Sequence, residues 1–513
     1  MKINKTLRLI LGDQLNSNHS WFKALDENVT YVLMEIRTET DYATHHIQKV
    51  VGFFAAMQAF ASELKKQKHN VIYIYLNDTT NYQSFEKNCQ LLIKKHLFTH
   101  FEYQQPDEYR LDEHLKHFAN QLSITHSVVD SEHFLSTRNE LGDFFKGKKT
   151  FLMESFYRYM RKKHNVLMDG LLPLTGQWNY DSDNRKKIPS DHKATPPLLF
   201  NNDVSAILNE LKKTTVKTIG TIDSENFIWP INRKQSLELL HFFVSECLPL
   251  FGTFQDAMTP SEWSLYHSRI SFSLNTKLIS PLEVINLAIA EWKKRPKEIE
   301  FNQLEGFVRQ IIGWREFMRG IYWNKMPEYA TLNYFEHTNK LPDWFWTGKT
   351  KMSCLKHSIN QSLQYSYAHH IQRLMITGNF ALLVGIHPNE IDGWYLGIYI
   401  DALEWVQITN TRGMSQFADG GIVGTKPYVS SAAYIHKMSH YCGSCYYNKT
   451  KKVGDKACPF NSLYWNFYDK HENKLAKNPR IGMMYNVWRR MDPQVKADLL
   501  EQADYYLKHI NEL

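Results

Sequence analysis

The sequence lacks the long apolar run that a membrane-spanning helix needs. In its 513 residues no uninterrupted apolar stretch approaches the roughly 20 residues that cross a bilayer. The N-terminal segment MKINKTLRLILGDQL enters a strand-like pattern within a few residues, without the apolar region and cleavage site of a secretion signal. We therefore expect a cytoplasmic protein that does not enter a membrane.

Cysteine is scarce, with six in the whole chain, and a cytoplasmic location disfavours disulfide bonds. Three of the six lie in YCGSCYYNKTKKVGDKACPF, where Cys442 and Cys445 are two residues apart and Cys458 precedes a proline. This arrangement is typical of metal or iron-sulfur ligands. Cys354, in the same half of the chain, is the best candidate for a fourth ligand. Four thiolates suit either a tetrahedral zinc ion or a [4Fe-4S] cluster, and the spacing leaves both open.

The first expected strand also lacks a glycine-rich dinucleotide fingerprint, since it runs into Gly12-Asp13-Gln14-Leu15. Five β-branched or aromatic runs follow one another between residues 7 and 131, with mostly amphipathic helical stretches between them: LRLIL, TYVLMEI, NVIYIYL, HFEYQ and THSVV. The pattern predicts a doubly wound parallel α/β domain over residues 1–134. Its ligand would bind at the carboxyl ends of the strands.

The rest of the chain changes character twice. Residues 135–234 contain a polar, basic stretch and several prolines, and we interpret them as a long interdomain loop with a functional surface. Residues 235–513 show helical periodicity and predict an all-α domain. Within it, the segment 305–323 has one apolar stripe and a charged face formed by Glu305, Arg309 and Glu316.

Charge and aromatic content are suggestive without being decisive. The chain has 61 Lys and Arg against 53 Asp and Glu, a net charge of +8, and 14% aromatic residues. The positive excess favours a polyanion only if it clusters on one face. Aromatic rings can stack on bases or relay electrons, but they more often fill cores.

Several separated motifs together resemble the iron-sulfur bacterial cryptochromes and photolyases, whose repair members are the prokaryotic (6-4) photolyases. They are LGDQL, GQWNYDSDNR, EGFVRQIIGWREFMRG, the segment YAHHIQRLMITGNFALLVGIHPNEIDGWYLGIYIDALEWV, and the YCGSC and CPF motifs. The resemblance extends over nearly the whole chain. It implies FAD in the helical domain and a [4Fe-4S] cluster on Cys354, Cys442, Cys445 and Cys458. It also implies a 6,7-dimethyl-8-ribityllumazine antenna in the α/β domain.

The resemblance also implies positions for the cofactor contacts. For FAD they are Ser271, Ser273, Arg309, Trp314, Arg315, Asp401, Glu404 and Asn410. The stretch IDALEWVQITN departs from the usual Asp-x-Asp pattern, so the residue facing flavin N5 stays open. For the antenna, the expected contacts are Gly12, Asp13, Glu35 and His45, which lie near expected strand ends or in an early helix.

Two groups of residues carry the implied chemistry. His370, with His369 beside it, would exchange a proton with the lesion, because an imidazole can do so near neutral pH. Trp394, Tyr395 and Trp346 match the positions through which the family re-reduces its flavin.

The implied partner is UV-damaged DNA, bound by a monomer. Asp181 matches a position linked to a divalent cation, for which Mg²⁺ is the candidate, and Arg185 matches a position linked to DNA contact. The sequence thus predicts a light-driven (6-4) photolyase. The alternatives are a photoreceptor that repairs little, a cyclobutane-dimer photolyase, and a non-catalytic DNA-binding protein with a structural cluster.

Overall fold

A five-stranded parallel sheet forms the N-terminal part of the chain. The structure is a computed structural model that describes residues 4–148 and 150–513. The strands are β1 (Thr6–Leu9), β2 (Val29–Met34), β3 (Asn70–Ile74), β4 (His100–Gln104) and β5 (Thr125–Val129). Their order in the sheet is β3-β2-β1-β4-β5. All five expected strands and their parallel pairing are confirmed. The strand order reverses between β1 and β4, which is where such sheets bind ligands.

Helices pack against this sheet. They are Arg37–Asp41, Ile47–Lys66, Phe85–His96 and Tyr109–Gln121. Phe85–His96 shows how local sequence sets their ends, because the Ser84 hydroxyl accepts the Lys87 N–H at its start and Leu97 ends it in the left-handed conformation.

Residues 135–234 are more ordered than the expected interdomain loop. They include the helices Glu140–Phe144, Met153–His164 and Ser205–Lys213 and a short antiparallel pair, Met168–Asp169 with Leu172–Pro173. The helix Met153–His164 buries Phe156, Tyr157 and Met160 in the core of the helical half. Its apolar positions are interrupted by five basic residues, which concealed the amphipathic pattern. Between Leu174 and Val204 the described backbone is irregular except for one turn, Asp181–Asp183.

The remaining chain is helical, as expected. The longer helices are Arg233–Phe242, Leu248–Phe254, Pro281–Lys294, Phe301–Val308, Glu316–Lys325, Ser353–Tyr365, Pro388–Ile398, Ala432–Met438, Pro459–Lys470, Gly482–Arg490 and Pro493–Lys508. Shorter helices are Ser271–Asn275, His370–Gln372, Asn379–Leu383, Glu404–Ile408 and Glu472–Leu475. Four of the helices begin at a proline, which has no N–H to leave unpaired at that position.

Wide π-helical segments interrupt these helices at four places: Phe243–Cys247, Arg309–Arg315, Arg373–Gly378 and Thr409–Ser415. Such segments are rare in proteins, and those that occur often lie at functional sites. Three of the four contribute side chains to one cavity in the helical half.

The charged face expected on residues 305–323 is buried and does not face solvent. Glu305, Arg309 and Glu316 are all buried. The Tyr157 hydroxyl donates to Glu305 and the Ser136 hydroxyl donates to Glu316, so segments from the 135–234 region cover this face. Helical periodicity finds a charged stripe but cannot tell whether another segment supplies partners for it.

One helical stretch, Arg233–Phe254, is long and apolar enough to cross a membrane by length and composition. Half of its apolar window is buried inside the fold, as expected of a core helix, and one such stretch is weak evidence for a span.

The sheet region and the helical half share a core. Phe53 and Phe272 meet with ring centroids 5.4 Å apart. Gly397 allows the closest approach, because a Cβ there would lie 2.3 Å from the Thr44 carbonyl oxygen. The expected domain limits at residues 134 and 234 therefore remain sequence predictions, since packing continues across them.

Candidate active site and cofactor cavities

The helical half contains a cavity of about 310 Å³. Eight of the residues expected at the flavin, at the lesion or in the electron relay line it: Ser271, Trp314, Arg315, His369, His370, Tyr395, Asp401 and Asn410. They come from positions up to about 140 residues apart and meet because the wide helical turns and the short helix Ser271–Asn275 face the same space. Phe251, Phe307 and Met318 supply apolar wall.

Asp401 is the centre of a polar network in this cavity. The Ser271 hydroxyl donates to its carboxylate at 2.6 Å, and the Arg373 guanidinium lies 3.1 Å from the other carboxylate oxygen. The Asn275 amide donates to the Asp401 carbonyl at 2.7 Å. Arg373 also lies over the Tyr399 ring, 3.7 Å from its centroid. Sequence reasoning missed Arg373, although it follows the histidine pair within the same motif.

Three histidines gather at one side of the cavity. His369 is buried and stacks on His267, with ring centroids 4.4 Å apart and planes 12° apart. His370 is exposed to the cavity. The enclosing walls, and then the positive charges of Arg373 and Arg185, lower the pKa of His370 to about 4. His267, which lies a hundred residues away in sequence, carried no local signal.

Three residues expected at the flavin lie elsewhere. Ser273 is fully buried behind the cavity wall. Arg309 belongs to a buried network in which it donates to Glu305 and to the Trp178 carbonyl, both at 2.9 Å. Glu404 lines a second cavity and accepts a hydrogen bond from Tyr322. Adjacent helical residues point about 100° apart, so a correct motif can still assign a side chain to the wrong side of its helix.

An aromatic series leads away from the cavity. Tyr395 lines the cavity, and its ring centroid is 5.3 Å from that of Trp394. Trp394 is buried, donates to the Phe345 carbonyl at 3.1 Å, and contacts the Phe345 ring edge-on at 5.1 Å. Trp346, next in sequence, is 40% exposed. The three expected relay residues thus extend from the cavity wall to the surface.

The second cavity, of about 130 Å³, lies at the carboxyl ends of the strands. All four expected antenna residues line it: Gly12, Asp13, Glu35 and His45. His45 is buried, and neither of its ring nitrogens has a hydrogen-bond partner among the described residues. Its burial, followed by the charge of Lys49, lowers the pKa of His45 well below the usual value. A buried imidazole without partners is typical of a site that a polar ligand completes.

Charged groups that the sequence did not single out, Lys49, Asp107 and Glu108, also line this cavity. Lys277 lies outside the lining, and its ammonium nitrogen is 3.2 Å from the Asp13 carboxylate and 2.7 Å from the Asp107 carboxylate. Burial lowers the pKa of Lys49 to about 7 and raises that of Glu108 to about 7. The cavity therefore offers donors and acceptors to one ligand.

The four cysteines of the expected cluster, Cys354, Cys442, Cys445 and Cys458, line one small space. The structure brings Cys354 to the other three from about 90 residues away. Among residues 4–148 and 150–513, however, no three His, Cys, Asp or Glu side chains are close enough to hold a single metal ion.

The irregular segment after Leu174 reaches the edge of the large cavity. Arg185 lies 2.9 Å from the Asp181 carboxylate and 3.6 Å from that of Asp256. Asp181 and Arg185 are therefore paired with each other at an exposed position. The positive charge of Arg185 contributes to lowering the pKa of His370.

Comparison with known proteins identifies the family. Residues 8–227 match the family described as deoxyribodipyrimidine photo-lyase-related protein. Over 508 residues the chain is 39% identical to a protein of Agrobacterium fabrum named (6-4) photolyase, an alignment that covers 98% of this chain and 99% of the relative. The chain belongs to the (6-4) photolyase family.

Solved structures agree with this photolyase assignment at the level of the fold. A class III photolyase from Agrobacterium tumefaciens matches with a TM-score of 0.56 and 14% identity, covering 98% of this chain and 92% of the other. A cryptochrome from Synechocystis matches with a TM-score of 0.53 and 12% identity, covering 93% and 89%.

Proposed function

We propose that this protein is a light-dependent DNA photolyase that repairs (6-4) pyrimidine-pyrimidone photoproducts. The observation that carries the proposal is the histidine group at the large cavity, His267, His369 and His370, in a chain 39% identical along its length to a protein named (6-4) photolyase. Rearranging a (6-4) adduct requires a proton as well as an electron, whereas splitting a cyclobutane dimer requires only an electron.

The large cavity fits FAD. Its apolar walls suit an aromatic ring system, and the Ser271 hydroxyl and the Asn410 amide can hydrogen-bond the polar parts. Arg315 is buried, and its Nη1 lies 3.9 Å from the Glu316 carboxylate but has no hydrogen-bond partner among the described residues, so a phosphate or another anion would complete it. When bound, reduced FAD supplies the light-excited electron for repair.

The protein's own groups bind and orient the damaged base. The lesion must leave the duplex, which costs a few kcal/mol and least for bases that already stack poorly. Arg185 meets the phosphates at the cavity edge, and the Arg373–Asp401 pair fixes one wall. His370 is neutral near pH 7 in the free protein, and the negative phosphates of bound DNA raise its pKa so that it can hold and return a proton.

The four-cysteine site fits a [4Fe-4S] cluster. Cys354, Cys442, Cys445 and Cys458 line one small space, and four cysteine thiolates are the usual ligands of such a cluster. Four thiolates can also hold a zinc ion. The resemblance of the YCGSC and CPF motifs to the iron-sulfur branch of the family favours the cluster over zinc.

The second cavity fits the lumazine antenna, with His45 and Glu35 as polar contacts and Gly12 as the close backbone approach. A Cβ at Gly12 would lie 3.1 Å from the Met57 sulfur, so a larger residue would crowd the lining. Mg²⁺ at Asp181 would compete with Arg185 for the same carboxylate. We propose it only as an occupant that displaces that pair.

The deciding experiment illuminates the purified, reduced protein with two oligonucleotides, one carrying a (6-4) photoproduct and the other a cyclobutane dimer. Chromatography follows the restored bases, and a sample kept in the dark is the control. We expect restoration of the (6-4) lesion alone. Restoration of only the dimer would identify a cyclobutane-dimer photolyase. Restoration of neither would refute repair and favour a photoreceptor.

A further inference from the structure

Six lysines without a carboxylate partner lie on three stretches of chain, two of which reach the four-cysteine site through Lys187 and Lys449. They are Lys186, Lys187, Lys437, Lys449, Lys451 and Lys452, which we call the lysine ridge. Five are exposed and Lys449 is half-buried. None of the six forms an ion pair with a carboxylate in the part of the chain that the structure describes, although twenty-seven other pairs occur there.

Direct contacts hold the ridge together. His436 joins two of its lysines, because Lys187 Nζ donates to the His436 carbonyl at 3.2 Å and Lys449 Nζ lies 2.8 Å from His436 Nε2. His440 Nε2 lies 2.9 Å from the Ile188 carbonyl, which fixes the same two segments a second time. Lys187 and Lys449 therefore meet at His436, which directly precedes Lys437, so that three separate stretches of chain bring lysines to one place.

The four-cysteine site sets the position of half the ridge. Lys449, Lys451 and Lys452 lie in the loop between Cys445 and Cys458, so both ends of the loop are cluster positions. The Asn461 amide holds this loop from behind by donating to the Lys449 carbonyl at 3.0 Å and to the Lys451 carbonyl at 2.8 Å. Lys449 itself lines the four-cysteine space.

The ridge begins at the edge of the large cavity. The Arg185 N–H donates to the Gly252 carbonyl at 3.0 Å and the Lys186 N–H to the Thr253 carbonyl at 2.7 Å, directly after Phe251 of the cavity wall. A polyanion that delivers a base to His370 would therefore pass over the ridge. Unpaired lysines on one face are the electrostatic footprint of a phosphate backbone, which they contact without reading sequence.

We propose that the lysine ridge binds the phosphodiester backbone of duplex DNA beside the lesion, and that the four-cysteine site positions the ridge loop for this contact. The choice of DNA as the ligand rests on the proposed photolyase function. The cluster then has a role in DNA binding that is separate from the electron transfer of repair. Each lysine that neutralises a phosphate releases counterions, so the contact can be counted from the salt dependence of binding.

The test is the triple variant Lys187→Ala, Lys449→Ala, Lys452→Ala, compared with wild type for binding of undamaged and (6-4)-containing duplexes at several salt concentrations. We expect the slope of log K against log salt to fall in magnitude by about 3, roughly one for each lysine. Bound FAD and the visible absorption of the cluster report that both cofactor sites are intact. The matched control is Lys65→Ala, Lys66→Ala, two exposed lysines of the α/β region, which should leave the slope unchanged.

A second variant tests the role of the cysteines. Cys445→Ser should lose the cluster and lower the salt slope in the same direction, while FAD binding is retained. A triple variant with the wild-type slope would overturn the ridge, and Cys445→Ser with the wild-type slope would overturn its positioning by the cluster. Neither result depends on repair, which wild-type protein must show separately if the proposed function is correct.

Discussion

Gln372 donates a hydrogen bond from its Nε2 to the hydroxyl of Tyr441 at 3.0 Å. Gln372 also accepts the His369 N–H at 3.1 Å, and Tyr441 directly precedes Cys442. The helix that carries the histidine pair is thus joined to the four-cysteine site through two buried side chains.

Tyr441→Phe keeps the ring but leaves a buried amide donor of Gln372 without this partner. We expect a loss of about 1–3 kcal/mol in the free energy of unfolding and slower (6-4) repair because His369 is held less firmly. Denaturant titration and repair kinetics at equal FAD occupancy measure the two effects. Tyr505→Phe, at an exposed tyrosine, is the control. Unchanged stability would show that Gln361, the other partner of this amide, suffices.

His370→Ala should slow (6-4) repair by roughly 10² to 10⁴, the usual contribution of a general acid or base. Bound FAD and its photoreduction should be unchanged, because His370 is exposed and is not one of the expected relay residues Tyr395, Trp394 and Trp346. Single-turnover repair under saturating light measures the effect. Repair at the wild-type rate would remove His370 from the mechanism and leave His369 as the candidate.

Trp394→Phe should slow the photoreduction of oxidised flavin by an external electron donor. The ring is buried between Tyr395 and Phe345, and phenylalanine packs there but does not relay an electron. Protein reduced chemically beforehand should repair at the wild-type rate, which separates the relay from catalysis. Trp465→Phe, in a different cluster of the core, is the matched control. Equal photoreduction in both variants would refute the proposed path.

Acid should destabilise the protein through a second histidine pair, His337 and His471. Both are buried with their Nε2 atoms 3.3 Å apart. Burial, followed by the neighbouring positive groups, lowers the pKa of His337 to about 3 and that of His471 to about 4, from 6.5. The unfolded chain therefore binds these protons first, so stability is lost as the pH falls from about 6.5 towards 4.

His471→Gln should make this loss shallower, and substitution of the exposed His96 should not. Melting temperatures across that pH range check the prediction. The same acid dependence in both variants would show that other groups control it.

The four-cysteine site should contain iron. Protein purified without oxygen should carry about four iron and four sulfide per chain and little zinc, and Cys354→Ser should lose most of both. Elemental analysis and visible absorption provide the measurement. A content of about one zinc per chain would show that the four cysteines hold a structural zinc ion and not a cluster.

Local patterns carried much of this fold. Short β-branched and aromatic runs predicted all five strands, because such runs indicate a strand within a few residues. The helix Met153–His164 was missed because its basic residues resemble a loop until the core that covers Phe156 and Tyr157 is known. Motif resemblance placed eight residues at the large cavity, but it could not show on which side of a helix Glu404 or Arg309 would point.

The sequence by itself determined the succession of strands and helices along the chain, the cysteine set and the histidine pair, since each is a short-range pattern or a motif. Only the tertiary structure decided that Ser271 and Arg373 meet at Asp401, that His267 stacks on His369, and that Lys187 and Lys449 meet at His436. These contacts join positions up to about 260 residues apart. No local periodicity encodes them, because they follow from how the helices pack and which buried charges find partners.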